Sequence, residues 1–168
     1  MVAYILNINE ALLLSMEKEY HHVDASIIVG IMDKRFPHIQ NNCKTYMTKI
    51  GAKYKGGISV VSLGEIFKTF YSRKYIKIRK ESLNFIDDLL QREHIEIFGI
   101  DDADASIFPD LRECTDSRIG ASDLISLAVC IREKANVFMT LDQNILGCDK
   151  IRSFCKKKGV TIKTVQNE

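Results

Sequence analysis

Among the five cysteines (Cys43, Cys114, Cys130, Cys148 and Cys155) there is no Cys-x-x-Cys pair, and their number is odd. Cys130 falls inside an apolar stretch. These facts favour reduced thiols in a cytosolic protein over a disulfide framework. A long hydrophobic run is also lacking, so no segment is able to span a bilayer. The short apolar stretch Ala11 to Leu14 has no basic residues before it and acids after it, unlike a secretory signal. The expectation is a cytoplasmic protein with no membrane partner. Charge of one sign is not in excess: 24 Lys and Arg against 22 Asp and Glu leave +2. That is too little for binding nucleic acid by bulk charge, and any basic footprint must be local. No Gly-rich phosphate loop occurs, and His21, His22, His38 and His94 lack the spacing of a zinc motif such as His-Glu-x-x-His. There is no repeat and no low-complexity segment.

What is present is ordinary globular composition, 46% hydrophobic and 27% charged over 168 residues, which suits one domain with a core of its own. Residues 1–20 are expected to form an N-terminal extension, with a strand over Val2–Leu6 and a helix over Glu10–Glu19 that Asn9 caps. Residues 21–168 are expected to form the domain. A strand ends near Asp24 and a helix starts near Ser26. Pro37 suits the first turn of the next helix, whose Ile39, Cys43, Tyr46, Met47 and Ile50 share one face; Gly51 ends it. Gly56-Gly57 reads as a turn and Ile58-Ser59-Val60-Val61 as a β-branched strand. A helix opens at Ser62 and runs through Tyr71; another covers Glu81 to Arg92. Ile95 to Phe98 is a strand. The helix after Asp104 is expected to bend or end at Pro109. Lys150 to Lys158 is a helix and Val160 to Val165 a last strand. Strands separated by helical segments mean crossover connections, hence a mainly parallel sheet of about five strands covered on both faces.

The most informative stretch runs from Ser122 to Asp142. Leu124 to Ile131 is apolar on nearly every side apart from Ser126, which marks a buried helix. Arg132-Glu133-Lys134 ends it, Ala135-Asn136 is a turn, and Val137-Phe138-Met139 is a short buried strand. Asp123 opens this unit and Asp142 closes it. Asp24 follows the first strand, Glu65 the second and Asp142 the fourth, all at the carboxyl edge of a parallel sheet, where sites form. Asp123, at the start of a helix packed nearby, joins them. Carboxylates drawn together repel and raise one another's pKa values. A hard divalent cation such as Mg²⁺ removes that conflict, keeps waters, and supports hydrolysis of a phosphodiester. Each acid also has a plainer reading. Glu65 with Ser62 fits a Ser-x-x-Glu capping box, Asp123 suits a first helical turn, and Asp142 can cap the next segment. Asp24, which abuts an apolar stretch, is the hardest to explain that way.

Four ordered pieces resemble the PIN-domain ribonuclease family, of the type found in prokaryotic toxin–antitoxin toxins. They are Val23-Asp24-Ala25-Ser26, Ile58 to Ile66, Ala121-Ser122-Asp123-Leu124-Ile125 and Phe138-Met139-Thr140-Leu141-Asp142. The resemblance implies a three-layer α/β/α sandwich on a parallel sheet, and a metal-dependent endoribonuclease in which Asp24, Glu65, Asp123 and Asp142 surround Mg²⁺ or Mn²⁺. Asp24 and Asp123 are then the most direct ligands, Asp142 comes next, and Glu65 acts through water or a second ion. Ser26 and Thr140 match the family's small hydroxyl positions, which hold carboxylates or water in place. An RNA substrate, a cognate antitoxin and a homodimer are the implied partners. The residues before Asp24 exceed those of a minimal toxin, which fits the alternative of a nuclease in RNA maturation or decay. A catalytically silent binding module is a third alternative.

The densest basic segment spans Lys68, Arg73, Lys74, Lys77, Arg79 and Lys80, with Tyr71 and Tyr75 interleaved. Arg73, Lys74 and Lys77 are candidate RNA contacts, with the tyrosines available for stacking. A solvated helix end and loop is the plainer reading. Arg118, just before the acidic helix start, is a further candidate to meet a phosphate or to neutralise a carboxylate; an ordinary surface arginine is the plainer reading. Asp101, Asp102 and Asp104 are explained by capping and loop solvation.

Overall fold

The computed structural model describes residues 18–72, 79–91, 95–115 and 118–167. The strand and helix expected over Val2–Leu6 and Glu10–Glu19 lie, but for the last two residues of the helix, outside them. Five strands, β1 (Tyr20–Val23), β2 (Lys55–Ser59), β3 (Ile95–Phe98), β4 (Val137–Met139) and β5 (Thr161–Lys163), form one sheet in the order β3-β2-β1-β4-β5. Every pairing is parallel. Helices make the crossovers, among the described residues α1 (Ala25–Met32), α2 (Pro37–Met47), α3 (Val60–Phe70), α4 (Arg79–Gln91), α5 (Asp102–Glu113), α6 (Ala121–Arg132), α7 (Gln143–Leu146) and α8 (Asp149–Lys157).

The pleat sorts the core into two apolar clusters. Val137 and Met139 of β4 belong to one, with Val23 and the buried residues of α1 to α4; Phe138 belongs to the other, with those of α5, α6 and α8. Alternate side chains of a strand point to opposite faces, so the sheet is covered on both sides, as an α/β/α sandwich requires. The two histidines of β1 follow the same rule. His21 stacks on Tyr54 at 3.9 Å and pairs its Nδ1 with the Tyr46 hydroxyl at 2.9 Å, while His22 stacks on Phe138 on the opposite face. This central strand is therefore polar in sequence yet buried at His21, His22 and Val23.

Several local expectations are corrected. Gly56-Gly57 is not a turn but part of β2, and Val60-Val61 belongs to α3. The reason is Ser59, whose hydroxyl accepts the Ser62 N–H at 3.0 Å. An N-cap of this kind starts the helix at Val60 and overrides the strand preference of two valines. Gly57 is required by close approach: a Cβ there would stand 2.1 Å from the Tyr20 hydroxyl and 2.7 Å from the Phe98 ring. α5 runs through Pro109 without ending. Its start is fixed by a reciprocal capping box between Asp101 and Asp104, and Leu111 anchors its second half in the core, so the one hydrogen bond that proline removes does not break it. Arg132 ties that same start to the end of α6, reaching Asp104 and the Gly99 carbonyl at 2.9 Å each. Between β4 and β5 lie two helices, α7 and α8, where one was expected, and β5 is only three residues long.

Candidate metal centre

Asp24 leaves β1 at its carboxyl end and caps α1. Its backbone N–H continues the sheet to the Met139 carbonyl at 3.0 Å, so the carboxylate sits in the crevice between β1 and β4. It is 3% exposed. All of its side-chain hydrogen bonds among the described residues go to one oxygen, Oδ2. The donors are the Ser26 hydroxyl, the Ser26 N–H at 3.3 Å and the Thr140 hydroxyl at 2.8 Å. Ser26 and Thr140 also organise the opposite rim, since the Leu141 N–H donates to Ser26 Oγ at 2.9 Å and the Asp142 N–H to Thr140 Oγ1 at 3.0 Å. Both hydroxyls named from the sequence thus fasten the β1 and β4 loops to each other through Asp24. Beside Asp24 stand two further carboxylates.

Those neighbours are Glu65 and Asp123. The carboxylates of Asp24, Glu65 and Asp123 each offer an oxygen, and all three oxygens lie within 4.8 Å of one another. Glu65 does not stand at a strand end as expected. Because Ser59 starts α3, Glu65 is placed well into that helix and reaches the crevice from its second turn. The same fact removes its ordinary explanation, for the cap is Ser59 and no Ser62–Glu65 capping box forms. Asp123 lies in the first turn of α6, where its Oδ2 accepts the Gly120 N–H at 3.0 Å; helix capping is therefore part of its role and not all of it. Asp142 stands outside the group of three. It caps α7, accepting the Asn144 N–H at 2.7 Å, and its charge is still near enough to raise the pKa of Asp123.

The electrostatics are those of an anion cluster. Burial pushes the Asp24 carboxyl above its usual range; the hydrogen bonds from Ser26 and Thr140 work against that rise and the charge of Glu65 adds to it. Asp123 is pushed up to about 6, first by burial, then by Asp24, with smaller contributions from Glu65 and Asp142 against the lowering effect of the Gly120 N–H. Two full charges at 4.8 Å repel by roughly 3 kcal/mol at an effective dielectric of about 20. Among the described residues, no lysine or arginine forms an ion pair with Asp24, Glu65 or Asp123. A set of hard oxygen donors at this spacing fits a cation of the Mg²⁺ or Mn²⁺ kind, which takes carboxylate oxygens and keeps water.

From the sequence, Ser62 reads only as a cap and Ser126 only as a break in an apolar run, and neither is brought together with Ser59. Ser59, Ser62 and Ser126 are buried and form a closed triangle of hydroxyls, with Oγ–Oγ distances of 3.0 Å (Ser59 to Ser62), 3.0 Å (Ser62 to Ser126) and 2.8 Å (Ser126 to Ser59). A signal existed: Ser126 is the one polar residue in an otherwise apolar helical run. Of the basic candidates, Arg118 is exposed on the segment leading into α6, while Arg73, Lys74 and Lys77 lie outside the described residues.

Comparison with known proteins agrees with this architecture. The fold is similar to a chain of VapBC2 from Rickettsia felis, a complex solved with a DNA fragment from its promoter, with a TM-score of 0.57, 16% identity, and coverage of 86% of this chain and 98% of that one. It is similar to a chain of FitAcB from Neisseria gonorrhoeae with a TM-score of 0.60, 13% identity and coverage of 88% and 99%. A toxin–antitoxin complex from Klebsiella pneumoniae gives 0.55, 15%, and 77% and 93%. At such identities the likeness is one of fold. No curated protein matches in sequence. The PIN domain family model matches residues 22–150, which take in the end of β1, β2 to β4 and all the acids of the crevice, and the chain belongs to the PIN domain family.

Proposed function

We propose that this protein is a divalent-metal-dependent endoribonuclease, with Asp24, Glu65 and Asp123 holding Mg²⁺ or Mn²⁺ and Asp142 acting close beside them. The observation that carries the reading is the meeting of three carboxylates from distant parts of the chain within 4.8 Å. A bound cation of this class supplies Lewis acidity, which activates water toward phosphorus and takes up charge on a phosphodiester. The chain's own residues do the positioning. Ser26 and Thr140 fasten Asp24 through Oδ2, and Asp24 would hold the ion together with Glu65 and Asp123. Asp123 is itself held by the Gly120 N–H at Oδ2. Asp142, fixed by its cap on α7, would add negative charge beside the ion. Arg73, Lys74, Lys77 and Arg118 are the proposed contacts to the RNA backbone.

One of the structures of similar fold is a toxin–antitoxin complex, which supports the toxin of such a pair as the biological role, with a cognate antitoxin as partner. The decisive experiment is cleavage of single-stranded RNA with and without Mg²⁺ or Mn²⁺. Cleavage is expected only with metal and is expected to vanish in Asp24→Asn and Asp123→Asn. Equal cleavage by wild type and both variants would sink the assignment.

A further inference from the structure

The hydroxyl triangle lies where the helices that carry two of the acids touch. Ser62 is three residues before Glu65 on α3, and Ser126 is three residues after Asp123 on α6. Residues three apart share a helix face, so each helix turns a serine and a carboxylate toward the other. The helices meet twice, once through hydroxyls and once through like charges. The second contact is repulsive and favours moving the helices apart.

The hydrogen bonds close without remainder. Ser59 Oγ donates to Ser62 Oγ. Ser62 then donates to Ser126 and Ser126 to Ser59, so every hydroxyl gives once and receives once, and Ser59 Oγ also accepts the Ser62 N–H. Such a ring in a dry interface has one geometry. An apolar contact of the same size would hold with the helices slid or rotated, whereas a fully satisfied buried network fixes a unique packing.

We propose that Ser59, Ser62 and Ser126 are positioning residues of the metal centre: the triangle sets the crossing of α3 and α6 and so holds Glu65 and Asp123 at a distance at which they share an ion. The proposal rests on the metal reading above. Removing one corner leaves a hydroxyl donor and an acceptor unmet and frees the crossing to relax under the repulsion of the acids. Outer groups that orient metal ligands are worth about 10- to 100-fold in affinity.

The test is Mn²⁺ affinity by titration calorimetry, with thermal unfolding measured alongside. Ser126→Ala is expected to weaken Mn²⁺ binding by about tenfold or more. Ser62→Ala is the gentler variant, since it keeps the backbone cap on α3 and the Ser59–Ser126 bond, and it is expected to act in the same direction. Ile151→Val, which trims a buried residue of α8, lowers stability and leaves the affinity unchanged. Serine variants that lose stability but bind Mn²⁺ as tightly as wild type would reduce the triangle to ordinary packing and overturn the proposal. A wild-type protein that takes up no Mn²⁺ at all would remove the metal reading and this inference with it.

Discussion

Asp123 carries the clearest pH signature. Its carboxyl is raised from 3.8 to about 6 in the folded protein, so the fold holds that proton more tightly than the unfolded chain does. The stability this group contributes is present in full below pH 3.8 and is lost as pH rises through about 6. Asp24 is raised as well and acts in the same direction. The metal-free Asp123→Asn variant is therefore expected to be more stable than wild type, by a margin that opens as pH climbs through about 6. The asparagine oxygen can still accept the Gly120 N–H, so the cap survives. Thermal unfolding of both proteins across that range is the measurement; a margin that stays flat or closes with rising pH would show that the site does not strain the carboxylate. Because the ion competes with the proton, the stabilisation of wild type by Mn²⁺ should shrink as pH falls below about 6.

At the scale of elements, much of the chain was legible. β3 and β4 fall where their apolar runs place them, and α6 follows its buried run, because short strands bounded by turn residues and a helix apolar all round leave few alternatives. The failures cluster around β2 and α3. Two adjacent glycines usually mean a turn, and nothing local to Gly57 announces that the Tyr20 ring of the neighbouring strand will lie across it. Ser59 and Ser62 are each plausible caps on local grounds; in the fold Ser59 accepts the Ser62 N–H, and both serines meet Ser126, which lies 67 and 64 positions away. Glu65 does come to lie beside Asp24 and Asp123, but it was placed at the wrong point of its helix for the same reason. Gly57 also yields a prediction. Gly57→Ala forces atoms into the Tyr20 hydroxyl and is expected to cost about 1–3 kcal/mol. Tyr20→Phe removes the nearest of those atoms, so the double variant should be less destabilised than the sum of the two single changes. Additivity in denaturant unfolding would show that the hydroxyl is not what excludes a side chain there.

For the whole molecule, the place of the site follows from the order of the strands. From β1 the chain builds β2 and β3 to one side, then returns to lay β4 and β5 on the other. The loops after β1 and β4 consequently diverge, and a crevice opens between them at the carboxyl edge, the general location of sites in open parallel sheets. Asp24 and Thr140 flank that crevice, and α3 and α6 bring Glu65 and Asp123 to it. An ion that binds only this assembled crevice stabilises the entire fold. At a free Mn²⁺ concentration of about 100 times its dissociation constant the gain is about 2.7 kcal/mol, which for a chain of this size raises the melting temperature by about 5–10 °C. Chelation is expected to reverse the shift, and Asp24→Asn to abolish it. An unchanged melting temperature in saturating Mn²⁺ would contradict a native-state ion site.

The hydrogen bond from Thr140 to Asp24 joins residues 116 positions apart. During synthesis, Asp24 leaves the ribosome long before its partner exists, and the strand that completes the crevice is among the last parts of the fold to be made. A polypeptide interrupted between α3 and β4 carries Asp24 and Glu65 but has no finished crevice to hold them together. Any activity the site possesses therefore requires a chain copied through β4 and Thr140.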